Sequence, residues 1–204
     1  QDELKHLLFP LGNLYKVEVR KQAAKLDLPT ANRRDSQDVC FITDKDYRSF
    51  VAQHIPLQPG DIVDTGGKIL GKHNGLARYT VGQKQGMGLT SNKRLYVLRL
   101  DTTGNRLVVG TEDQLLSNAL SAGKLSWVSG KVPREPIRAT AKIRYKSPEA
   151  AAELKLNRET AEVKFHQPQR AIAPGQAVVF YQGDDVLGGG IIEDRERVVK
   201  TNLY

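Results

Sequence analysis

Apolar and polar side chains alternate along several stretches in the C-terminal half of this 204-residue chain. Alternation with a period of two puts one set of side chains on each face of a β-strand and does not match the period of a helix. We therefore expect five or six short strands after residue 114, a number that suits a small closed barrel. The alternating apolar positions are Ile137, Ala139, Ala141, Ile143 and Tyr145, followed by Ala161, Val163 and Phe165, and residues 176–181 and 186–192 continue the set.

The first quarter of the chain carries helical signals instead. Apolar residues recur at helical spacing over residues 18–27, and Pro29 ends that helix, whose apolar face we expect to pack. A second helix begins at Thr43, where Asp46 completes a variant of the capping box, and it stops before Pro56. The N-terminal part is therefore predicted to be short and helical.

From residue 60 the helical period disappears. Gly66-Gly67 predicts a β-hairpin, residues 77–81 a further strand, and residues 101–105 the turn of a second hairpin. A short helix over residues 112–116 marks the boundary to the barrel. The predicted fold class is mainly β, with a short helical N-terminal part, a small central α+β domain and a C-terminal β-barrel.

Bulk composition narrows the classes of function. The formal net charge of +8 favours a polyanionic partner such as nucleic acid. A single cysteine excludes an internal disulfide and makes a reducing cytoplasm the default location. One cysteine and four scattered histidines do not make a zinc site, so we expect no metal. The chain also contains no nucleotide-binding glycine motif. No apolar run is long enough for a membrane helix, and we expect no membrane partner.

The only cysteine, Cys40, lies between a charged segment and the apolar pair Phe41-Ile42. Arg33 and Arg34 precede it, and a nearby guanidinium would stabilise a thiolate and make the sulfur reactive. A free cysteine can equally be a small buried apolar residue at the start of a strand. Both interpretations stay open from the residues alone. A cysteine–histidine hydrolase is a third, weaker possibility, since no pattern puts a histidine beside the thiol.

Two further segments allow two interpretations each. Residues 82–93 are rich in glycine and basic side chains, so this segment either binds a phosphate through its N–H groups and lysines or is a long hairpin loop. The predicted strand 137–145 has a basic face, carrying Arg138, Lys142 and Arg144, that either follows an RNA backbone or is simply solvated. On this alternation Tyr145 points to the apolar face.

Several sequence blocks, in order along nearly the whole chain, resemble the tRNA-specific 2-thiouridylase family. One of them is Asp-Ser-Gln-Asp-Val-Cys-Phe-Ile at residues 35–42, which contains Cys40. The others are residues 7–12, 16–20 and 28–31 before it, residues 73–76 and 79–89 in the centre, and residues 173–181 and 187–192 near the end.

The resemblance implies a mechanism. Family members begin with an ATP-pyrophosphatase domain, missing here, which binds ATP and adenylates the C2 oxygen of the wobble uridine in tRNA. Cys40 then carries a persulfide that supplies the sulfur, and a second cysteine from the missing domain releases it. Arg144, Tyr145 and Gln176 match the residues that contact tRNA. The resemblance therefore implies no cofactor site in this fragment, which alone is expected to be inactive.

The expected domains are a helical connector at 1–29, a central domain with the cysteine loop at 30–113, and a barrel at 114–204. The expected partners are tRNA and a protein that donates persulfide sulfur, and the expected state is a cytoplasmic monomer. The alternative is a non-catalytic β module that binds RNA or the ribosome, which the basic strand and the lack of an activating site favour.

Overall fold

The computed structural model describes residues 1–33, 47–90, 92, 94–134 and 136–194. The chain divides into two compact units, Gln1–Phe50 and Val51–Tyr204. The described part of the first unit contains helices and turns and no strand, and the second unit contains a four-stranded sheet and a closed six-stranded barrel. The predicted fold class is confirmed. The limits predicted for the three domains stay a prediction. No described helix is long and apolar enough to cross a membrane.

Helix α1 of the first unit spans Lys16–Lys25, a shift of two residues from the predicted range. It begins early because the Glu18 carboxylate accepts a hydrogen bond from the Tyr15 N–H at 2.7 Å and so caps the first turn. It ends early because Asp27 adopts a left-handed φ of 51°, which stops the helix before Pro29. The capping interactions, more than the proline, therefore set its bounds.

The first unit exposes much of its apolar surface. No residue of α1 is buried, which corrects the expectation that its apolar face packs, and Leu26 on that face is 70% exposed. Among the described residues of this unit only Ala31 is buried. The described part of the unit thus has no apolar core of its own. The exposed large apolar side chains are Leu4, Leu7, Leu8, Phe9, Leu11, Tyr15, Val17, Leu26 and Leu28.

Helix α2 spans Tyr47–His54 and crosses from the first unit into the second. It ends two residues before Pro56, as the sequence predicts. Thr43 and Asp46, to which the capping prediction applies, lie outside the described residues.

The sheet of the second unit has the strand order β2-β1-β4-β3. Strands β1 and β4 run parallel at its centre, and each pairs with its antiparallel hairpin partner at the edge. Both predicted hairpins are present. The strands are β1 at Gly60–Val63, β2 at Ile69–His73, β3 at Tyr96–Asp101 and β4 at Arg106–Gly110.

The strand predicted over residues 77–81 is wrong. The chain instead forms a 3-10 turn at Leu76–Arg78, which starts after Gly75 at a φ of 103°. Leu76 and Tyr79 pack over the sheet core, and so does Met87 from the glycine-rich segment. The segment from Leu76 to Met87 therefore covers the sheet core. Packing its apolar side chains there removes them from water, which a strand at the sheet edge would not do.

The turn between β3 and β4 contains a buried carboxylate. The Gly104 N–H donates to Asp101 Oδ1 at 2.9 Å, and Arg106 Nε donates to Oδ2 at 2.9 Å. The Gly104 hydrogen bond and the Arg106 guanidinium hold the pKa of Asp101 below its ordinary value, against the opposing effect of burial. The ionised carboxylate therefore contributes to the stability of the hairpin.

We expect Asp101→Asn to lower the free energy of unfolding at pH 7 by about 1.5–3 kcal/mol, because hydrogen bonds to a charged acceptor are weakened. A lowered pKa in the folded state contributes stability above about pH 4, and this contribution is lost as the pH falls through that lowered pKa. Urea unfolding at pH 7, 5 and 3 should thus show the gap between wild type and variant closing at acidic pH. A gap independent of pH would contradict the assignment.

The barrel closes in the order β10-β5-β8-β7-β6-β9, with every neighbouring pair antiparallel. Its six strands confirm the predicted number. Two of them, β5 and β7, have no counterpart among the predicted strands. The strands are β5 at Leu116–Trp127, β6 at Ile137–Lys142, β7 at Ala150–Asn157, β8 at Thr160–Arg170, β9 at Ala177–Gln182 and β10 at Asp185–Ile192.

The alternating apolar side chains fill the barrel interior. Phe180 of β9 is fully buried, and its ring stacks against Trp127 of β5 with 5.9 Å between centroids. Gly189 of β10 passes so close to β9 that an added Cβ would clash with the carbonyl of Val178. Glycine here allows the two strands to approach across the barrel wall.

Candidate nucleic-acid interface

The chain turns sharply just after β6. This strand ends at Lys142, three residues before the end of the predicted strand, and the Ser147 N–H and hydroxyl both donate to the carbonyl of Arg144 at 3.1 and 2.9 Å. Ile143 continues the alternation and is buried, but Tyr145 does not: it is 90% exposed. The prediction that Tyr145 faces the apolar side is therefore wrong, because the turn toward β7 interrupts the pleat.

Gln176 lies at the same end of the barrel. Strands β6 and β9 are antiparallel, and their register pairs Lys142 with Val179, so the end of β6 adjoins the start of β9. The main chain of Gln176 is held by β10, since its carbonyl accepts from the Ile192 N–H at 2.8 Å. Its side chain is exposed. Folding thus brings three predicted site residues, Arg144, Tyr145 and Gln176, to one end of the barrel.

The guanidinium of Arg144 is anchored at this end. Its Nη2 donates to the carbonyl of Arg170, the last residue of β8, at 2.7 Å. Arg144 remains exposed to solvent, so its remaining N–H groups can reach a ligand. An exposed cation, an exposed phenol ring and an exposed amide together offer a phosphate contact, a stacking surface and hydrogen bonds. These are the groups that bind unpaired RNA.

A cleft of about 940 Å³ runs between the sheet and this end of the barrel. Gln176 lines it on the barrel side. Both apolar and charged side chains line the cleft: Leu98 and Arg99 on the sheet side, and Ile172 and Asp194 on the barrel side. Within the described ranges no three His, Cys, Asp or Glu side chains gather into a group that could hold a metal ion.

The basic face of β6 is partly balanced by acidic neighbours. Arg138 lies opposite Glu153 in the register of β6 and β7, and the Thr140 hydroxyl donates to Glu149 at 2.7 Å. Arg144 lies beyond the strand, so it belongs to the barrel end and not to this balanced face. Both interpretations of the strand face therefore stay open.

Cys40 lies outside the described residues, and its role stays a prediction. Among the histidines, His73 is fully buried. Its Nδ1 accepts from the Gly75 N–H at 3.1 Å, so Nε2 carries the proton and donates to the carbonyl of Asn105 at 3.1 Å. Both ring nitrogens are thus engaged in holding β2 and the β3–β4 turn together. This histidine is structural.

Three models of tRNA-modification domains match successive parts of the chain. Residues 1–44 match the tRNA methyl transferase HUP domain, residues 48–111 the tRNA methyl transferase PRC-barrel domain, and residues 117–192 the aminomethyltransferase β-barrel domain. The tRNA-specific 2-thiouridylase MnmA of Acetivibrio thermocellus is 46% identical over 196 residues, which is 95% of this chain and 55% of that protein. That of Moorella thermoacetica is 46% identical over 197 residues, with the same two shares. The chain belongs to the tRNA-specific 2-thiouridylase family.

The chain spans about half the length of the 2-thiouridylases it matches. The match extends through the barrel end, because both Arg144 and Gln176 fall within residues 117–192. Arg170 contacts Arg144, and Glu112 and Tyr96 in turn contact Arg170. The sequence patterns identified none of these three residues. An arginine at the end of an alternating strand gives no signal of its own, and its contacts come from segments far apart in the chain.

Proposed function

We propose that this chain is the central and C-terminal part of a tRNA sulfurtransferase that makes 2-thiouridine at the wobble position. The proposal rests on membership of the 2-thiouridylase family. Its RNA-binding part is supported by the side chains exposed at one end of the barrel. There Arg144, Tyr145 and Gln176 are all exposed at the same end of the barrel. The net charge of +8 is consistent with a polyanionic substrate.

Each of the three side chains is assigned a contact. Arg144 binds a phosphate, since its guanidinium is exposed and held at a fixed place by the Arg170 carbonyl. Tyr145 offers its ring to a base or a ribose, because 90% of its surface is accessible. Gln176 hydrogen-bonds at the rim of the cleft. Such contacts position the RNA without reading a long sequence.

The sulfur step is assigned to Cys40. An adenylated C2 oxygen is a good leaving group, so the terminal sulfur of a Cys40 persulfide attacks C2 and AMP departs with the oxygen. A second cysteine then attacks the Cys40 sulfur, which leaves the transferred sulfur on C2 and joins the two cysteines in a disulfide. Thiol–disulfide exchange with an external dithiol reductant, which becomes the disulfide in its place, returns both cysteines to the reduced state. A separate protein must supply the persulfide, and a cytoplasmic monomer is the proposed form.

ATP activation is assigned to a HUP domain of which this chain holds a part. Residues 1–44 match such a domain, and their described part exposes apolar side chains such as Leu8 and Phe9. A series of exposed large apolar side chains suits packing against more protein. We therefore propose that the 204-residue chain forms no thiouridine by itself. Thiouridine formed by the chain with ATP, tRNA and a persulfide donor would refute this assignment.

A non-catalytic RNA-binding module remains the second candidate. It is favoured by the exposed side chains at the barrel end and the basic strand β6, which could bind RNA without any catalytic group. Both candidates predict tRNA binding, and only the first predicts that a cysteine variant loses the modification.

We expect Arg144→Ala to weaken tRNA binding and to reduce the slope of log Kd against log salt by about one, because one phosphate contact is lost. The measurement is a titration of the chain with a tRNA transcript at four salt concentrations. Arg158→Ala is the matched control: Arg158 is also exposed, but it lies in the β7–β8 turn at the other end of the barrel. Equal slopes for both variants would remove Arg144 from the interface.

A further inference from the structure

The anchor of Arg144 is itself held at a well-defined place. The carbonyl of Arg170, which accepts the Arg144 hydrogen bond at 2.7 Å, belongs to the last residue of β8. The next residue, Ala171, turns the chain with a left-handed φ of 55°, and its N–H donates to the Leu115 carbonyl at 3.0 Å. Because an alanine rarely adopts this conformation, the surrounding contacts must hold it there.

Those contacts come from the sheet as well as from the barrel. Ala171 is buried together with Tyr96 of β3 and Leu115, and Val81 and Leu98 pack against the group. An added Cβ at Gly82 would lie only 2.8 Å from the Ala171 Cβ, so the segment that covers the sheet touches the end of β8 directly. The end of β8 is therefore a joint between the sheet and the barrel.

The Arg170 side chain crosses this joint. Its Nε donates to Glu112 Oε1 at 3.2 Å, and its guanidinium carbon lies 5.2 Å from the centre of the Tyr96 ring. Glu112 follows β4 and Tyr96 belongs to β3, so both partners come from the sheet side. One arginine thus binds the sheet through its side chain and Arg144 through its carbonyl.

We propose that Arg170 is a positioning residue: held by Glu112 and Tyr96, it fixes the orientation of Arg144 for RNA binding and so couples the sheet to the RNA-binding end of the barrel. The inference rests on the proposed RNA contact of Arg144. Its rival is that Arg170 binds RNA directly, since 40% of its side chain is exposed. The two differ in what the Glu112 carboxylate does.

A change at Glu112 distinguishes the two roles of Arg170, because they predict opposite changes in the affinity for tRNA. Glu112→Gln keeps the shape of the side chain but removes one negative charge, which raises the net charge above +8. If Arg170 binds RNA directly, release from the carboxylate frees it and the affinity for tRNA rises. If Arg170 positions Arg144, the joint loosens and the affinity falls although the charge has become more favourable.

The experiment is a double-mutant cycle on the chain with a tRNA transcript, using wild type, Glu112→Gln, Arg144→Ala and the double variant. We expect Glu112→Gln to raise Kd two- to fivefold, the effect of losing one exposed ion pair. In the Arg144→Ala background the same change should have no effect or lower Kd slightly. Glu159→Gln is the control, because this exposed glutamate makes the same charge change in the distant β7–β8 turn.

Each of the following results would overturn the inference. Unchanged or tighter binding by Glu112→Gln would mean that the carboxylate does not position Arg144. Equal weakening in both backgrounds, accompanied by lower stability in urea, would mean a general loss of structure. Normal binding by Arg144→Ala would refute the proposed RNA contact itself, and the inference with it. Weakening by Arg144→Ala without weakening by Glu112→Gln would leave the contact in place and refute only the coupling.

Discussion

Transfer RNA from cells whose only copy of the gene carries Cys40→Ser is expected to lack 2-thiouridine. A serine hydroxyl cannot hold a sulfane sulfur, so no persulfide forms and no nucleophile reaches the activated C2 atom. Unlike the loss of one binding contact, this loss should be complete, with the modification at least about 100-fold below wild type, because it removes the reacting group itself. Mass spectrometry of nucleosides from total tRNA measures it.

The controls for this experiment separate chemistry from folding. The Cys40→Ser chain should unfold at the same urea concentration as wild type and bind a tRNA transcript with the same affinity, because the proposed RNA contacts lie at Arg144, Tyr145 and Gln176. Normal thiouridine levels in the Cys40→Ser strain would refute the role of the thiol. The chain would then be better explained as an RNA-binding module with a packed cysteine.

Phe180→Ala is expected to destabilise the barrel by about 3–5 kcal/mol, the range for truncating a large buried aromatic side chain. Phe180 is fully buried and stacks on Trp127, so its removal leaves a cavity in the centre of a small closed structure. A loss of this size is a large part of the stability of a typical domain. Urea unfolding followed by Trp127 fluorescence measures it, because Trp127 is the only tryptophan.

Tyr145→Ala is the matched control for this change. It also truncates an aromatic side chain in the barrel half, but at a position that is 90% exposed. Its stability should stay within about 0.5 kcal/mol of wild type, while its affinity for tRNA falls. A stability loss for Tyr145→Ala comparable to that of Phe180→Ala would mean that the turn after β6 is packed, contrary to its exposure.

The barrel could be predicted where side chains alternate in polarity. Strands β6, β8, β9 and β10 were identified because their apolar residues must share the inner face. Strand β7 was not, since Ala150-Ala151-Ala152-Glu153-Leu154 combines residues that favour helices. It is a strand because its partners β6 and β8 supply the backbone hydrogen bonds on both sides. Strand β5 is rich in Ser, Ala and Gly, which give a weak signal on their own.

The sequence by itself determined the fold class, the family and the identity of the candidate residues, because periodicity and motif residues are local properties of the chain. Only the tertiary structure decided how the candidates are presented. The turn after β6 exposes Tyr145, the register of β6 and β9 brings Gln176 to the same end as Arg144, and the end of β8 anchors the Arg144 guanidinium. The turn is local, but the last two arrangements depend on contacts between residues more than 25 positions apart, and such contacts exist only once the barrel has closed.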